Sequence, residues 1–173
     1  MGAIGSRPEK ELGEGPDDLW LWPEISFVME AKNENQDSLH KKDGAQLLSS
    51  IQWFKKTYPA RKDPVPVVVA NVTLWDLNAQ FPNDTRVITQ EKIMDLLNAL
   101  EAFFNQIIFK PLFASGPKML AGFQQSLNLT PGKLVSHFTT KSREFGNKRV
   151  WEYRLRRRFD VLKLFRLQGK GAI

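Results

Sequence analysis

Apolar positions recur along this chain with two periods, and the switches between them mark out its elements. Leu19-Trp-Leu-Trp and Ile25-Ser-Phe-Val-Met-Glu-Ala-Lys are short apolar and aromatic runs separated by Pro23-Glu24. They predict two paired strands joined by a tight turn. After a polar loop from Asn33 to Asp37, the residues Leu47, Leu48, Ile51 and Phe54 share one helical face, so a helix is expected from about Leu39 to Tyr58. A charged, proline-bearing connection from Pro59 leads into Val65-Pro-Val-Val-Val-Ala-Asn, whose β-branched run lacks polar alternation and suits a strand buried on both faces. Trp75 to Asp84 reads as loop. Arg86-Val-Ile-Thr is one more short strand, with Thr89 placed as the N-cap of the next helix.

The longest helix is predicted over Gln90 to Phe109, where Ile93, Leu96, Leu97, Leu100, Phe103, Phe104 and Ile107 fall at helical spacing. Pro111 to Pro117 breaks it. Lys118 to Leu127 and Pro131 to Phe138 read as two short helices, the second with Thr130 as N-cap and Pro131 at the first helical position. From Val150 onward the two periods mix, which suits either a hairpin arm or a basic helix. At the other end, Gly2 to Pro16 is rich in Gly, Pro and Glu, and permits only a short extended piece around Lys10 to Leu12.

Strands alternating with helices make this an α/β chain, and 173 residues suffice for one domain with a real core. A hydrophobic content of 42% and a charged content of 25% are ordinary for a globular domain and exclude wholesale disorder. No apolar run reaches the roughly 18 to 20 residues needed to cross a bilayer. The segment from Met1 to Arg7 lacks the apolar stretch of a signal peptide, so a cytoplasmic protein with no membrane partner is expected. The chain has no cysteine and two histidines, which leaves carboxylates, and hence a hard cation, as the basis of any metal chemistry. The net charge of +6 is unevenly spread: up to Thr140 there are 14 Lys and Arg against 16 Asp and Glu, and from Lys141 onward 11 against 3. A slightly acidic body therefore carries a basic tail, in which Arg154, Arg156, Arg157 and Arg158 are candidates for phosphate contact.

The chemistry concentrates where the first two strands meet. Asp17 follows Gly15-Pro16 at the entrance to the first strand, and Glu30 and Lys32 stand two apart on the second. Strand side chains alternate faces, so Glu30 and Lys32 point the same way and strand pairing brings Asp17 to them. Two carboxylates, the backbone carbonyl of Ala31 and several waters would make a shell for Mg²⁺ or Mn²⁺. Lys32 would hold or deprotonate a metal-activated water and offset charge building on a phosphate. Each residue alone has a plainer reading, since Pro-Asp-Asp is an ordinary turn and a same-face Glu-Lys pair an ordinary strand feature.

Three runs together carry more: Arg7-Pro-Glu-Lys-Glu-Leu-Gly-Glu-Gly-Pro-Asp-Asp-Leu-Trp, then Phe27-Val-Met-Glu-Ala-Lys-Asn, then Lys42-Asp-Gly-Ala-Gln-Leu-Leu-Ser-Ser-Ile-Gln-Trp-Phe. This stretch, to about Leu100, resembles the PD-(D/E)xK nuclease domains found beside or fused to bacterial DEAD/DEAH-box helicases and restriction-type proteins. The resemblance implies a restriction endonuclease-like mixed β-sheet flanked by helices. It makes Asp17 and Glu30 the metal-binding acids and Lys32 the catalytic lysine. Gln46 becomes a supporting catalytic residue and Lys42 a DNA-backbone contact. It further implies Mg²⁺-dependent DNA hydrolysis in a defence, restriction or repair system, with DNA and a helicase or a second copy as partners. The alternative it leaves is an inactive module that keeps the fold and binds nucleic acid or a helicase. Such domains usually open with a helix bearing a further acid. The breakers before Asp17 predict that this helix is absent, with Glu9, Glu11 or Glu14 as substitutes, in a shortened form or one completed by dimerisation. The expected organisation is a nuclease-like core over 1–110 and a helical extension with a basic tail over 111–173.

Overall fold

A computed structural model of the chain describes residues 3–32, 37–76, 78–109 and 116–144. Its centre is the pair of strands β2 (Asp18–Leu21) and β3 (Ser26–Ala31), antiparallel with Leu19 opposite Val28 and Asp18 opposite Met29. The turn between them is clamped by Arg61, whose Nη1 donates to the carbonyl of Trp22 at 2.6 Å. A short strand β1 (Ile4–Ser6) extends the antiparallel side. On the other side of β3, β4 (Val65–Val69) and β6 (Arg86–Ile88) add in parallel, and β7 (Thr140–Lys141) closes that edge antiparallel to β6. The result is a six-stranded mixed sheet in the order β1-β2-β3-β4-β6-β7. A separate two-stranded ribbon pairs β5 (Leu74–Trp75) with β8 (Arg143–Glu144).

Side-chain alternation sorts the strands into two cores. Leu19, Leu21, Val28, Val68 and Val87 face α2 (Lys41–Thr57), whose Leu47 and Phe54 complete a buried cluster. Phe27, Met29, Val67 and Ile88 face the other way. They meet Phe103 of α3 (Gln90–Phe109) and Leu134 and Phe138 of α5 (Pro131–Phe138), with α4 (Pro117–Ser126) packed on that side through Phe123. The molecule is thus an α/β sheet flanked by helices on both faces, as the hydrophobic pattern implied. The valine strand is buried because both of its faces are covered. Segment 116–141, expected as an extension, supplies Leu129, Leu134, Phe138 and the edge strand β7 to the same sheet and core. Among the described residues, no helix is long and apolar enough to cross a membrane.

Two expectations are corrected. The Gly- and Pro-rich start does contain a helix, α1 (Pro8–Leu12), and the extended piece lies earlier, at Ile4–Ser6. Pro8 sits at the first helical position, where its missing N–H is not needed, and Gly13 ends the helix in the left-handed region at φ 77°. The breakers therefore bound the helix and do not prevent it. In addition, the stretch read as loop from Trp75 begins inside β5, since Trp75 pairs with Glu144 in a contact too distant in sequence to be read from local pattern. The choice between hairpin arm and basic helix for the stretch from Val150, and the boundary expected near residue 110, lie outside the described residues.

Candidate active site

The β2–β3 register decides the site. With Asp18 opposite Met29, Asp17 arrives beside the carboxyl end of β3, and its Oδ2 accepts the Ala31 N–H at 2.7 Å. Glu30 on β3 and Lys32, one residue past its end, share the α2 face. Glu30 is fully buried, and its Oε1 accepts the Ser50 hydroxyl at 2.6 Å. Its other oxygen, Oε2, is buried with no hydrogen-bond partner and lies 3.7 Å from Lys32 Nζ. Lys32 Nζ donates to Gln46 Oε1 at 2.5 Å and sits 3.9 Å from Asp43 Oδ1.

The α2 residues that meet this group follow helical spacing. Asp43, Gln46, Leu47 and Ser50 fall at i, i+3, i+4 and i+7, so one face delivers an acid, an amide, an apolar anchor and a hydroxyl to β3. Asp43 also takes the His40 N–H at 2.7 Å and so fixes the first turn of the helix. Beyond it, His40 Nδ1 lies 2.7 Å from Asp76 Oδ2, in a partly exposed pair at the rim. Helix α1 brings a third carboxyl, since the exposed Glu9 hydrogen-bonds Asp17.

The electrostatics are those of crowded acids. Burial raises the Glu30 carboxyl to about 7, opposed by the Ser50 hydrogen bond and the Lys32 charge and reinforced by the neighbouring Asp17. Burial also pushes Asp17 up. The Glu9 carboxyl, the Ala31 amide, the neighbouring Glu30 carboxyl and Lys32 together outweigh it, and Asp17 ends below its ordinary value. Glu9 is raised, first by its hydrogen bond to Asp17 and then by the Asp17 charge. A low-pKa acid between two raised ones shares protons with both in the absence of a cation.

Of the residues singled out in the sequence, Asp17, Glu30, Ala31, Lys32 and Gln46 are brought together here. Lys42 lies exposed on the first turn of α2. Arg154, Arg156, Arg157 and Arg158 lie outside the described residues. Asp43 and Ser50 were not singled out. Their signal is a polar residue at an inward position of an apolar helix face, visible only when that face is aligned on β3. Among the described residues, no three His, Cys, Asp or Glu side chains gather as a ready-made metal cage. Beside Lys32, at the carboxyl ends of the parallel strands, opens a cleft of about 220 Å³ lined by Val69, Asn71, Ile88, Gln90 and Ile93. This is the end of a parallel sheet where crevices form. Compared with known proteins, the chain matches no family model, no curated protein and no solved structure.

Proposed function

We propose that this chain hydrolyses DNA phosphodiester bonds in a divalent-metal-dependent reaction, on a restriction endonuclease-like core of the PD-(D/E)xK type. The observation that carries the reading is Glu30: a fully buried carboxylate with one oxygen unpartnered, next to Asp17 and 3.7 Å from Lys32 Nζ. Burying such an oxygen is costly unless something positive completes it. The order strand, strand, helix, strand around it, preceded by the acid-bearing α1, is further support.

The donor set fits a hard cation. Asp17, Glu30 and the Ala31 carbonyl are all oxygen donors, and Mg²⁺ keeps several of its own waters, so a complete protein cage is not required. When bound, the ion would acidify a water and polarise the phosphodiester. Ser50 orients Glu30 through its short hydrogen bond, and the Ala31 amide orients Asp17. Gln46 and Asp43 position Lys32, whose Nζ holds the attacking water and offsets charge on the phosphorus oxygens. Lys42 and the tail residues Arg154, Arg156, Arg157 and Arg158 serve the phosphate backbone away from the cut.

Purified protein with Mg²⁺ or Mn²⁺ is expected to nick or degrade plasmid DNA. Lys32→Ala should lower the rate on the order of a hundredfold or more while leaving DNA retention intact. A second reading, a binding module without turnover, is favoured by the engagement of Lys32 with Glu30, Gln46 and Asp43, which could serve only to seat α2 on β3. DNA retention without metal-dependent cleavage by the wild-type chain decides for it, and equal cleavage by the lysine variant overturns the catalytic role given to Lys32.

A further inference from the structure

The cleft beside Lys32 has no part in the chemistry given to the acids. Strand alternation separates the two places. Glu30 and the Lys32 ammonium lie on the α2 face, whereas Val69, Ile88 and Ile93, which wall the cleft, belong to the core under α3. The floor is stitched from strand ends: the Lys32 N–H donates to the Val69 carbonyl at 2.9 Å, and the Ala70 N–H to the Ile88 carbonyl at 3.1 Å. Thr89 fixes the start of α3, its carbonyl taking the Ile93 N–H at 2.9 Å, so Gln90 is held at the first helical position. A cleft set on strand and helix ends keeps its shape before anything enters it.

Its lining decides what fits. Val69, Ile88 and Ile93 give apolar walls, and Asn71 and Gln90 give two exposed amides, each both donor and acceptor. The lining holds no acid, and its one cation, Lys32, is engaged on the other face by Glu30, Gln46 and Asp43. A phosphate therefore finds no charge of its own there. The matching occupant is a neutral group with apolar faces and neighbouring donors and acceptors on its edge. At about 220 Å³ the cleft is smaller than the roughly 300 Å³ at which pockets for drug-sized ligands begin. It has room for one ring system and not for a base pair.

We propose that this cleft takes one unpaired base of the strand being cut, with Asn71 and Gln90 on its hydrogen-bonding edge and the apolar walls on its faces. The assignment rests on the DNA-cleaving function proposed above, since Lys32 borders both places. A phosphate at its ammonium and a base in the cleft then belong to one nucleotide. Amide side chains pair through two hydrogen bonds with adenine, which makes deoxyadenosine the suitable probe. A base stacked within a duplex cannot enter. The substrate class is therefore single-stranded DNA, or duplex from which one nucleotide is extruded.

Titrating the metal-free full chain with deoxyadenosine, followed by methyl NMR, tests the cleft without any cleavage. Signals of Val69, Ile88 and Ile93 should move with deoxyadenosine and stay in place with deoxyribose 5-phosphate, which has the sugar and phosphate but no base. Asn71→Ala with Gln90→Ala, both at exposed positions, should weaken binding of the nucleoside at least about tenfold. No movement with the nucleoside, equal movement with the baseless phosphate, or unchanged affinity in the double variant overturns the proposal. Cleavage with Mg²⁺ is the second arm. A duplex with one unpaired adenosine should be nicked beside it at least about tenfold faster than the fully paired duplex, or than the same duplex with an abasic site there. Equal cutting of all three overturns the proposal and leaves the nuclease function standing. Absence of any cut removes the nuclease function itself, and the titration then decides whether the cleft holds a base.

Discussion

At the scale of single residues, Glu30 sets the terms. Its neighbours on β3 are apolar, yet it lies fully buried under α2 because Ser50, Lys32 and Asp17 converge on it. Burial first, and Asp17 second, hold its carboxyl near 7 against an ordinary 4.5. Between those two values the native state keeps a proton that the unfolded chain has released. This group therefore makes stability fall as pH rises through that window and level off above it. The depressed carboxyl of Asp17 acts the other way, but only below its ordinary 3.8. The gap between about 7 and 4.5 corresponds to roughly 3 kcal/mol as an upper bound. Glu30→Gln keeps an acceptor for Ser50 and removes the titration. Urea unfolding in the absence of divalent ions should find the variant more stable than wild type by on the order of 2 kcal/mol at pH 8, with the difference vanishing near pH 4.5. A variant less stable at both pH values would mean that Glu30 is already well compensated as an anion.

The three residues Asp17, Glu30 and Lys32 were legible in the sequence as a chemical type, and their shared face follows from strand alternation alone. Their burial was not legible. A Glu-x-Lys pair on a strand reads equally well as a solvent-facing ion pair, and only the helix laid over it makes the difference. Asp43 and Ser50 were invisible for the same reason, since nothing in a polar helix position says which strand residue it will meet.

At the scale of elements, α2 is held by both ends of its contact face. Leu47 and Phe54 bury against the sheet, and Gly44 lets the first turn press against the segment around Gln80. A β-carbon at Gly44 would collide with the backbone carbonyl of Gln80, which is part of a chain segment and cannot swing aside as a flexible side-chain end could. Alanine is the better helix former by about 1 kcal/mol, yet Gly44→Ala should destabilise the protein by about 1 to 3 kcal/mol, because overpacking outweighs propensity. Denaturant titration measures the sign directly, and a stabilised variant would show that the Gln80 segment yields. Helix α1 gives the complementary lesson. Pro8 and Gly13 are helix breakers by composition and helix boundaries by position, and which they are depends on the residues between them forming one turn against β2.

At the scale of the whole molecule, the two faces of the sheet are covered by segments far apart in sequence, with α2 on one side and α3, α4 and α5 on the other. Leu129, Leu134 and Phe138 are each almost fully buried in the second core, and β7 satisfies the edge of β6. A chain ending at Phe109 would expose that face and leave β6 open. It should lose cooperative thermal unfolding and associate, as followed by circular dichroism and light scattering. Cooperative melting of the fragment as a monomer would show that residues 1–109 fold alone.

Local pattern alone was enough for the elements with strong periodicity: the β2–β3 pair, α2, the buried valine strand and α3, which spans the Gln90 to Phe109 expected of it. It was also enough for the chemical type of the candidate site, because residue identity and strand alternation are local facts. Tertiary contacts decided which carboxylate is buried and unpartnered, which helix residues orient it, and that an acid-bearing helix precedes it. They also decided that β7 and β8 pair with strands more than fifty residues earlier in the chain. The physical reason is common to all of these. Burial, desolvation and edge pairing depend on which distant segments meet, and a pattern read within a dozen residues carries no record of that encounter.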